Sequence, residues 1–306
     1  MNIPHIPVLL DEIKEIFSHV KEGIIVDCTV GYGGHSEALL ESNLDIKMIC
    51  IDQDEEALEF SKKRLQRFKN RVKFYHGRFS DVICQIEDLE QIRGILADIG
   101  LSSLQLDKND RGFGFSGETL DMRMDQNRTL SANEVINNYE KEDLERIFKE
   151  YGEVREYKKA ASLICQEREI KPFESSCELA EFLAKKLFSK KLHPATLVFQ
   201  AIRIEVNDEL GELKRLLNSI RKLNINKCLV AIISFHSLED RLVKTYFRDW
   251  SKSCICPKEI MRCMCGNNNS FGKTVVKKVI TPTKKEINEN PRSRSSKLRV
   301  FRVDKR

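Results

Sequence analysis

Acids set around a glycine turn are the residues of this chain best placed to do chemistry. Asp27 ends a short apolar run at 24–26, and four residues later comes Gly31-Tyr-Gly33-Gly34-His35. Glycines at such a turn let the backbone approach a ligand closely, and a helix opening near His35 would offer it unpaired N–H groups. A second acid, Asp52, ends the apolar run at 47–51, where a carboxylate can accept hydrogen bonds from both ribose hydroxyls of a nucleoside. A dinucleotide site asks for Gly-x-Gly-x-x-Gly, but its third glycine position is Ser36, and no Gly-x-x-x-x-Gly-Lys phosphate loop occurs. A third acid, Asp98, follows the run at 92–97, and His236 follows the run at 227–234. An acid and a histidine at strand ends can orient a base and take its proton. Finally, Cys254, Cys256, Cys263 and Cys265 crowd into twelve residues. Four thiols suffice for a tetrahedral structural zinc. Zinc-binding pairs more often leave two residues between cysteines than the single residue found here, so reduced loop thiols are the alternative.

The elements that must hold these residues alternate through the first hundred positions. Apolar residues at Val8, Leu9, Ile13, Ile16, Phe17 and Val20 predict a helix over 8–20. β-Branched runs predict strands at 24–26, 47–51, 72–75 and 92–97. Between the second and third, Asp54 caps a helix with Glu55 and Glu56 in its first turn. Strands with little polar alternation, interleaved with helices, indicate a parallel sheet covered on both faces. Residues 106–130 are rich in Gly, Asp and Arg, and from 131 to 191 every segment reads as helix. Ser131–Glu134 and Ser175–Glu178 have capping-box spacing. Strand character returns at 227–234, helix at 238–250, and 275–280 with 298–303 are expected to close the sheet as an antiparallel pair. The expected fold is α/β, a Rossmann-like sheet built from 1–105 and 205–306 and interrupted by an all-helical, substrate-recognising insertion at 106–204. An acid after strand one, a glycine turn and an acid after strand two resemble the S-adenosylmethionine-binding sheet of methyltransferases.

Larger blocks extend that likeness. His5-Ile-Pro-Val-Leu-Leu10, Gly33-Gly-His-Ser36, Asp98-Ile-Gly-Leu-Ser-Ser103, Arg111-Gly-Phe-Gly-Phe-Ser116 and Leu120-Asp-Met-Arg-Met-Asp125 are followed by His193-Pro-Ala-Thr196 and Phe199-Gln-Ala-Ile-Arg-Ile204. Ile233-Ser-Phe-His-Ser-Leu-Glu-Asp-Arg241 and Asn290-Pro-Arg-Ser-Arg-Ser-Ser296 complete the series. In this order, and over nearly the whole chain, they resemble the bacterial MraW/RsmH family. The resemblance implies methyl transfer from S-adenosylmethionine to N4 of a cytosine in the decoding region of 16S ribosomal RNA, as naked RNA or in the small ribosomal subunit. It implies cofactor positions at Gly33, Gly34, His35, Asp52, Phe79, Asp98 and Gln105, with Phe79 suited to stack on adenine. Departures from the family pattern are Cys28 for the usual Gly, Ala97 for the usual Leu and Leu104 for a common Pro. For that reaction Asp98 and His236 are the candidate catalytic residues. His193 is expected to pack the insertion against the sheet, and His5 to close over the cofactor. Phe113, Phe115 and Phe235 are candidates for stacking on a cytosine splayed out of its helix.

Bulk composition agrees with a globular protein that touches a polyanion. Of 306 residues, 41% are hydrophobic and 32% charged, enough for a large core under a solvated surface. No apolar run is long enough to cross a bilayer, and the first residues lack the basic start and apolar stretch of a signal peptide. A cytoplasmic protein with no membrane partner is the expectation; the oligomeric state is left open. Cys28, Cys50, Cys84, Cys165, Cys177 and Cys228 stand singly, as expected of buried reduced thiols. Residues 273–306 hold 12 Lys or Arg against 3 Asp or Glu, so this stretch is +9 and the remainder −4 in a chain of net charge +5. Arg292, Arg294, Lys297 and Arg299 within it are candidate phosphate contacts. The competing function is a methyltransferase-fold RNA-binding or ribosome-assembly protein without turnover. A DNA methyltransferase and a nicotinamide enzyme are further alternatives, the latter opposed by the missing third glycine.

Overall fold

Strands β1 (Gly23–Asp27), β2 (Ile46–Asp52), β3 (Val72–His76), β4 (Ile92–Asp98) and β5 (Cys228–Ser234) run parallel. The computed structural model describes residues 6–102, 105–106, 108–188, 192–257, 259–260 and 262–304. With β6 (Gly272–Thr274) and β7 (Lys297–Val303), the sheet has the order β3-β2-β1-β4-β5-β7-β6, its last two strands pairing antiparallel. Successive side chains of a strand point to opposite faces. Ile24 and Val26 therefore join one buried cluster with Ile49, Ile51, Ile95 and Ile232, while Ile25 joins another with Met48, Cys50, Leu96 and Ile233. Both faces need cover, which explains the uniformly apolar strands.

The chain forms two compact units, one running to Gly100 and resuming at Glu212, the other Leu101–Gly211. In the first, the helices are α1 (Leu10–Phe17), α2 (Gly34–Ser42), α3 (Glu55–Arg64) and the short α4 (Phe79–Val82), then, after the second unit, α11 (Ser237–Trp250) and α12 (Lys284–Glu289). The second unit holds α5 (Ala132–Asn138), α6 (Lys141–Glu150), α7 (Tyr157–Ile170), α8 (Ser176–Lys186) and α9 (Thr196–Asn207), and α10 (Glu209–Lys222) leads out of it. All of α9 belongs to the second unit, past the expected limit at 204, because Val198, Ala201, Ile202 and Val206 complete the core formed by Leu144, Ile147, Phe148, Ile164 and Leu183. Ser131 and Ser175 cap their helices through Glu134 N–H (3.3 Å) and Glu178 N–H (3.1 Å). Two blocks of the glycine- and arginine-rich stretch before α5 hold each other. Buried Arg111 donates to the carbonyls of Arg123 and Met124 at 3.0 Å. Asn207 binds Met122 O and Met124 N–H at 2.8 Å.

Several boundaries differ from expectation. Helix α1 is shorter than 8–20 because Leu9 takes a left-handed conformation (φ 55°) and gives its N–H to Glu286 Oε1 at 2.7 Å. The strand expected at 275–280 contributes an Ile280–Leu298 bridge and a Val275 N–H bond to the Val300 carbonyl (3.0 Å), and β6 forms earlier, at Gly272–Thr274. A Cβ on Gly272 would lie 2.0 Å from the Arg302 carbonyl, so only glycine fits at that register. Of the lone cysteines, Cys28, Cys50 and Cys228 are buried as expected, but Cys84 is exposed and Cys165 and Cys177 are half-buried. Among the described residues no helix is long and apolar enough to cross a membrane.

Candidate active site

Strand order reverses between β1 and β4, the place where open parallel sheets leave a crevice beyond their carboxyl ends. Asp27, Asp52 and Asp98 terminate β1, β2 and β4 at this edge, and His236 begins the helix that follows β5. The glycine turn lies beside them. Gly31 and Gly33 adopt positive φ (49° and 75°), and the Gly31 N–H donates to Asp52 Oδ2 at 2.8 Å. Gly34 opens α2 against Pro7, whose Cγ a Cβ at this position would approach to 2.3 Å.

Each acid is held differently. Asp27 is buried and accepts from Ser36 Oγ (2.6 Å) and Thr29 N–H (3.2 Å); burial outweighs those bonds and raises its pKa to about 6. Asp52 accepts from the Asp54 and Gly31 N–H groups at 2.9 and 2.8 Å, yet burial again lifts it to about 6. Asp98 is the extreme case. Burial, then repulsion from Asp27 and Glu239, pushes it up to about 7. Its backbone N–H donates to Thr29 Oγ1 at 2.7 Å, while its buried Oδ1 has no hydrogen-bond partner among the described residues. A buried carboxylate oxygen without a partner is costly, and such cost is characteristic of functional sites.

Two histidines stand where helices begin after β1 and β5. His35 Nε2 lies 2.9 Å from the Val8 carbonyl, so that nitrogen carries a proton and donates it there. Its Nδ1 then faces Asp98 Oδ2 at 3.9 Å. The turn bearing Val8 is itself clasped by a later segment, through Glu286 to Leu9 and Asn290 to the Ile6 carbonyl at 3.1 Å. His236 packs 3.0 Å from Glu239 Oε1, a close contact but not an aligned hydrogen bond. Glu239 Oε2 accepts from the Phe235 and His236 N–H groups at 2.8 and 3.1 Å. Sequence reasoning passed over Glu239 as a site residue. Its position three residues after His236, the capping-box spacing, was the signal.

Phe79 opens α4, its side chain mostly buried in the cluster with Val26, Ile49 and Ile51. The turn before it is tied to β2 by Gly77 N–H to Asp52 O at 2.8 Å. Buried Glu212 holds α4 by accepting from Ser80 N–H (3.0 Å) and Oγ (2.9 Å). Gln105 lies in the other unit, where it exchanges hydrogen bonds with Ser102 at 3.0 and 3.3 Å. His5 and Leu104 fall outside the described residues. His193 is exposed and stacks on Phe115 of the same unit (4.5 Å, 29°). Phe113 is buried in the helical core and Phe235 packs under the sheet, leaving only Phe115 of the three exposed.

The basic candidates divide. Arg292 and Arg294 are exposed. Arg299 instead forms a two-point pair with Asp240 (2.7 and 3.2 Å), and Lys297 lies 3.5 Å from the same carboxylate. Sequence charge could not reveal that partner. Exposed Lys244, Arg248, Lys277 and Lys278 line a groove with Phe247 and Arg299. The four clustered cysteines place their sulfurs within 4.8 Å of one another.

The sequence is similar to those of known proteins. The model of the MraW methylase family matches residues 2–304. A protein of Aliarcobacter butzleri named ribosomal RNA small subunit methyltransferase H is 63% identical, covering 99% of this chain and 100% of that protein. Proteins of the same name from Nitratiruptor and Campylobacter jejuni are 56% and 54% identical, each covering 98% of this chain and 99% and 97% of theirs.

Proposed function

Because the chain belongs to the MraW methylase family, we propose that it transfers a methyl group from S-adenosylmethionine to N4 of a cytosine in the decoding region of 16S ribosomal RNA. The observation that carries the reading is the row of acids at the carboxyl ends of β1, β2 and β4, with Asp98 Oδ1 buried and without a hydrogen-bond partner among the described residues at the reversal of strand order. The residues present fit the cofactor. Asp52 would hold the ribose hydroxyls, the turn at Gly33 and Gly34 would let the ligand lie against backbone, and Phe79 would border the base. S-adenosylmethionine supplies, when bound, a methyl group already activated on a sulfonium.

What remains for the chain is alignment and a proton. An exocyclic amine must be held in line with the methyl group, an entropic gain that supplies much of such a rate. As the new C–N bond forms, the nitrogen sheds a proton. Asp98, with a pKa near 7, suits that acceptance at neutral pH. His236 beside Glu239 orients the base at the neighbouring strand end. Arg292, Arg294 and the groove of Lys244, Arg248, Lys277 and Lys278 contact RNA phosphates. With a ribosomal substrate, the site of action is the cytoplasm.

The test is transfer of labelled methyl to small ribosomal subunits lacking the modification, followed by mass analysis of the nucleosides. Labelled N4-methylcytidine is the expected product, abolished in Asp98→Ala. Tight S-adenosylmethionine binding with no label in RNA would instead support an assembly protein without turnover.

A further inference from the structure

We propose that Cys254, Cys256, Cys263 and Cys265 bind one zinc ion as a tetrathiolate, and that this ion, in place of a hydrophobic core, folds the excursion between α11 and β6. Residues 252–270 leave α11 after Trp250 and rejoin the core at Phe271. None of the described residues in this excursion is buried, and Ile255, Ile260 and Met264 are 63%, 39% and 82% exposed. A segment that hides none of its apolar side chains gains nothing from the hydrophobic effect to offset the entropy of being ordered. Some other bond has to hold it.

The sulfurs have the geometry for that bond. Cys254 and Cys263 lie 3.6 Å apart, Cys263 and Cys265 3.5 Å, and Cys265 and Cys254 3.8 Å. A tetrahedron with zinc–sulfur bonds of about 2.3 Å has edges of about 3.75 Å. A disulfide would need about 2.05 Å. The two cysteine pairs are also related by an approximate two-fold pattern. The N–H of Ile255, between the first pair, donates to Cys265 Sγ at 3.4 Å, and that of Met264, between the second, donates to Cys256 Sγ at 3.3 Å. Backbone N–H groups aimed at sulfur stabilise the negative charge that four thiolates bring to a divalent cation. Gly266 (φ 77°) and Asn267 (φ 56°) turn the chain after the second pair. Asn269 then closes the base of the excursion, N–H to Ser253 O at 2.9 Å and Nδ2 to Cys265 O at 3.0 Å. The one-residue spacing is accommodated because two of these three sulfur contacts run between pairs.

Register places the cluster away from the chemistry. Gly272 and Cys228 both pair with Val303, so β6 begins level with the start of β5, whereas Asp27, Asp52 and Asp98 stand at the strand ends opposite. With four thiolates filling its coordination, the ion has no open position for a substrate and is structural.

Elemental analysis of the full-length protein purified without chelator is expected to find one zinc per chain. Exchange for cobalt(II) is expected to give the visible absorption of tetrahedral cobalt thiolate. Cys254→Ser combined with Cys265→Ser should abolish both signals while leaving S-adenosylmethionine affinity within about twofold, and Cys84→Ser with Cys177→Ser should keep the zinc. Zinc below about 0.2 equivalents with no cobalt spectrum would overturn the proposal, as would full metal retention in the Cys254 and Cys265 variant. The wild-type measurements do not depend on how the variants fold, nor on whether the methyltransferase reading holds.

Discussion

Asp98 unites burial, two neighbouring carboxylates and an oxygen without a partner, and each has a measurable consequence. In the free enzyme its ionised form attracts a sulfonium and accepts a proton, so kcat/KM for the cofactor is expected to rise through about pH 7 and level off above it. Asp98→Asn should lower methyl transfer by about 100-fold or more and remove that limb from the pH profile; a limb that persisted would move the proton acceptor elsewhere. The same residue sets the sign of a stability effect. Asp27, Asp52 and Asp98 hold their protons to higher pH when folded than when unfolded, so these groups favour folding at low pH. Their contribution is lost as pH rises from about 4 through their folded pKa values of about 6, 6 and 7. Asp98→Asn should therefore raise the melting temperature of the ligand-free protein at pH 8 by about 3–6 °C, read by calorimetry. The three acids were visible in sequence because each ends a run of β-branched residues. For Glu239 only the capping-box spacing after His236 was visible, not the Asp98 carboxylate that it repels.

At the scale of elements, the helices position the site through buried polar anchors. Glu212 at the start of α10 binds both the N–H and hydroxyl of Ser80 and so fixes α4, which carries Phe79. Glu212→Ala leaves Ser80 unsatisfied in a buried place and is expected to cost about 2–4 kcal/mol in urea unfolding. It should also weaken S-adenosylmethionine binding through the displaced ring, whereas an unchanged dissociation constant would separate α4 from the cofactor. Capping residues were legible at this scale because the bond is local: Asp54, Ser131 and Ser175 all cap as their spacing predicts. The limits of α1 and β6 were not, because each is decided by a distant residue, Glu286 for one and Arg302 for the other.

Across the whole molecule, the charge asymmetry has a different anatomy from a basic arm. β7, within the +9 stretch, is an interior strand that buries Leu298, Val300, Phe301 and Val303 and pairs with both β5 and β6. Lys297 and Arg299 are spent on Asp240, while Lys277 and Lys278 are exposed. Replacing both Lys277 and Lys278 with Ala should weaken binding to small-subunit RNA and reduce the slope of log affinity against log salt by about 2. Arg299→Ala should instead mainly lower stability, by removing one half of a part-buried pair. Equal salt slopes in wild type and the double variant would take the groove out of the RNA interface.

The sequence by itself determined the class of sheet, the acids at its strand ends and the family, because those depend on periodicity, short spacings and ordered motifs. Hydrophobic alternation over a few residues decides strand or helix wherever it is strong, and the strands ending in Asp27, Asp52 and Asp98 are strong cases. Only the tertiary structure decided which charges remain exposed, which carboxylate faces Asp98, and that four spaced cysteines bring their sulfurs within 4.8 Å of one another. The physical reason is common to all three. Coulomb energy, desolvation and metal coordination depend on distances through space between residues far apart in the chain, such as Asp240 and Arg299, and sequence spacing carries no measure of those distances.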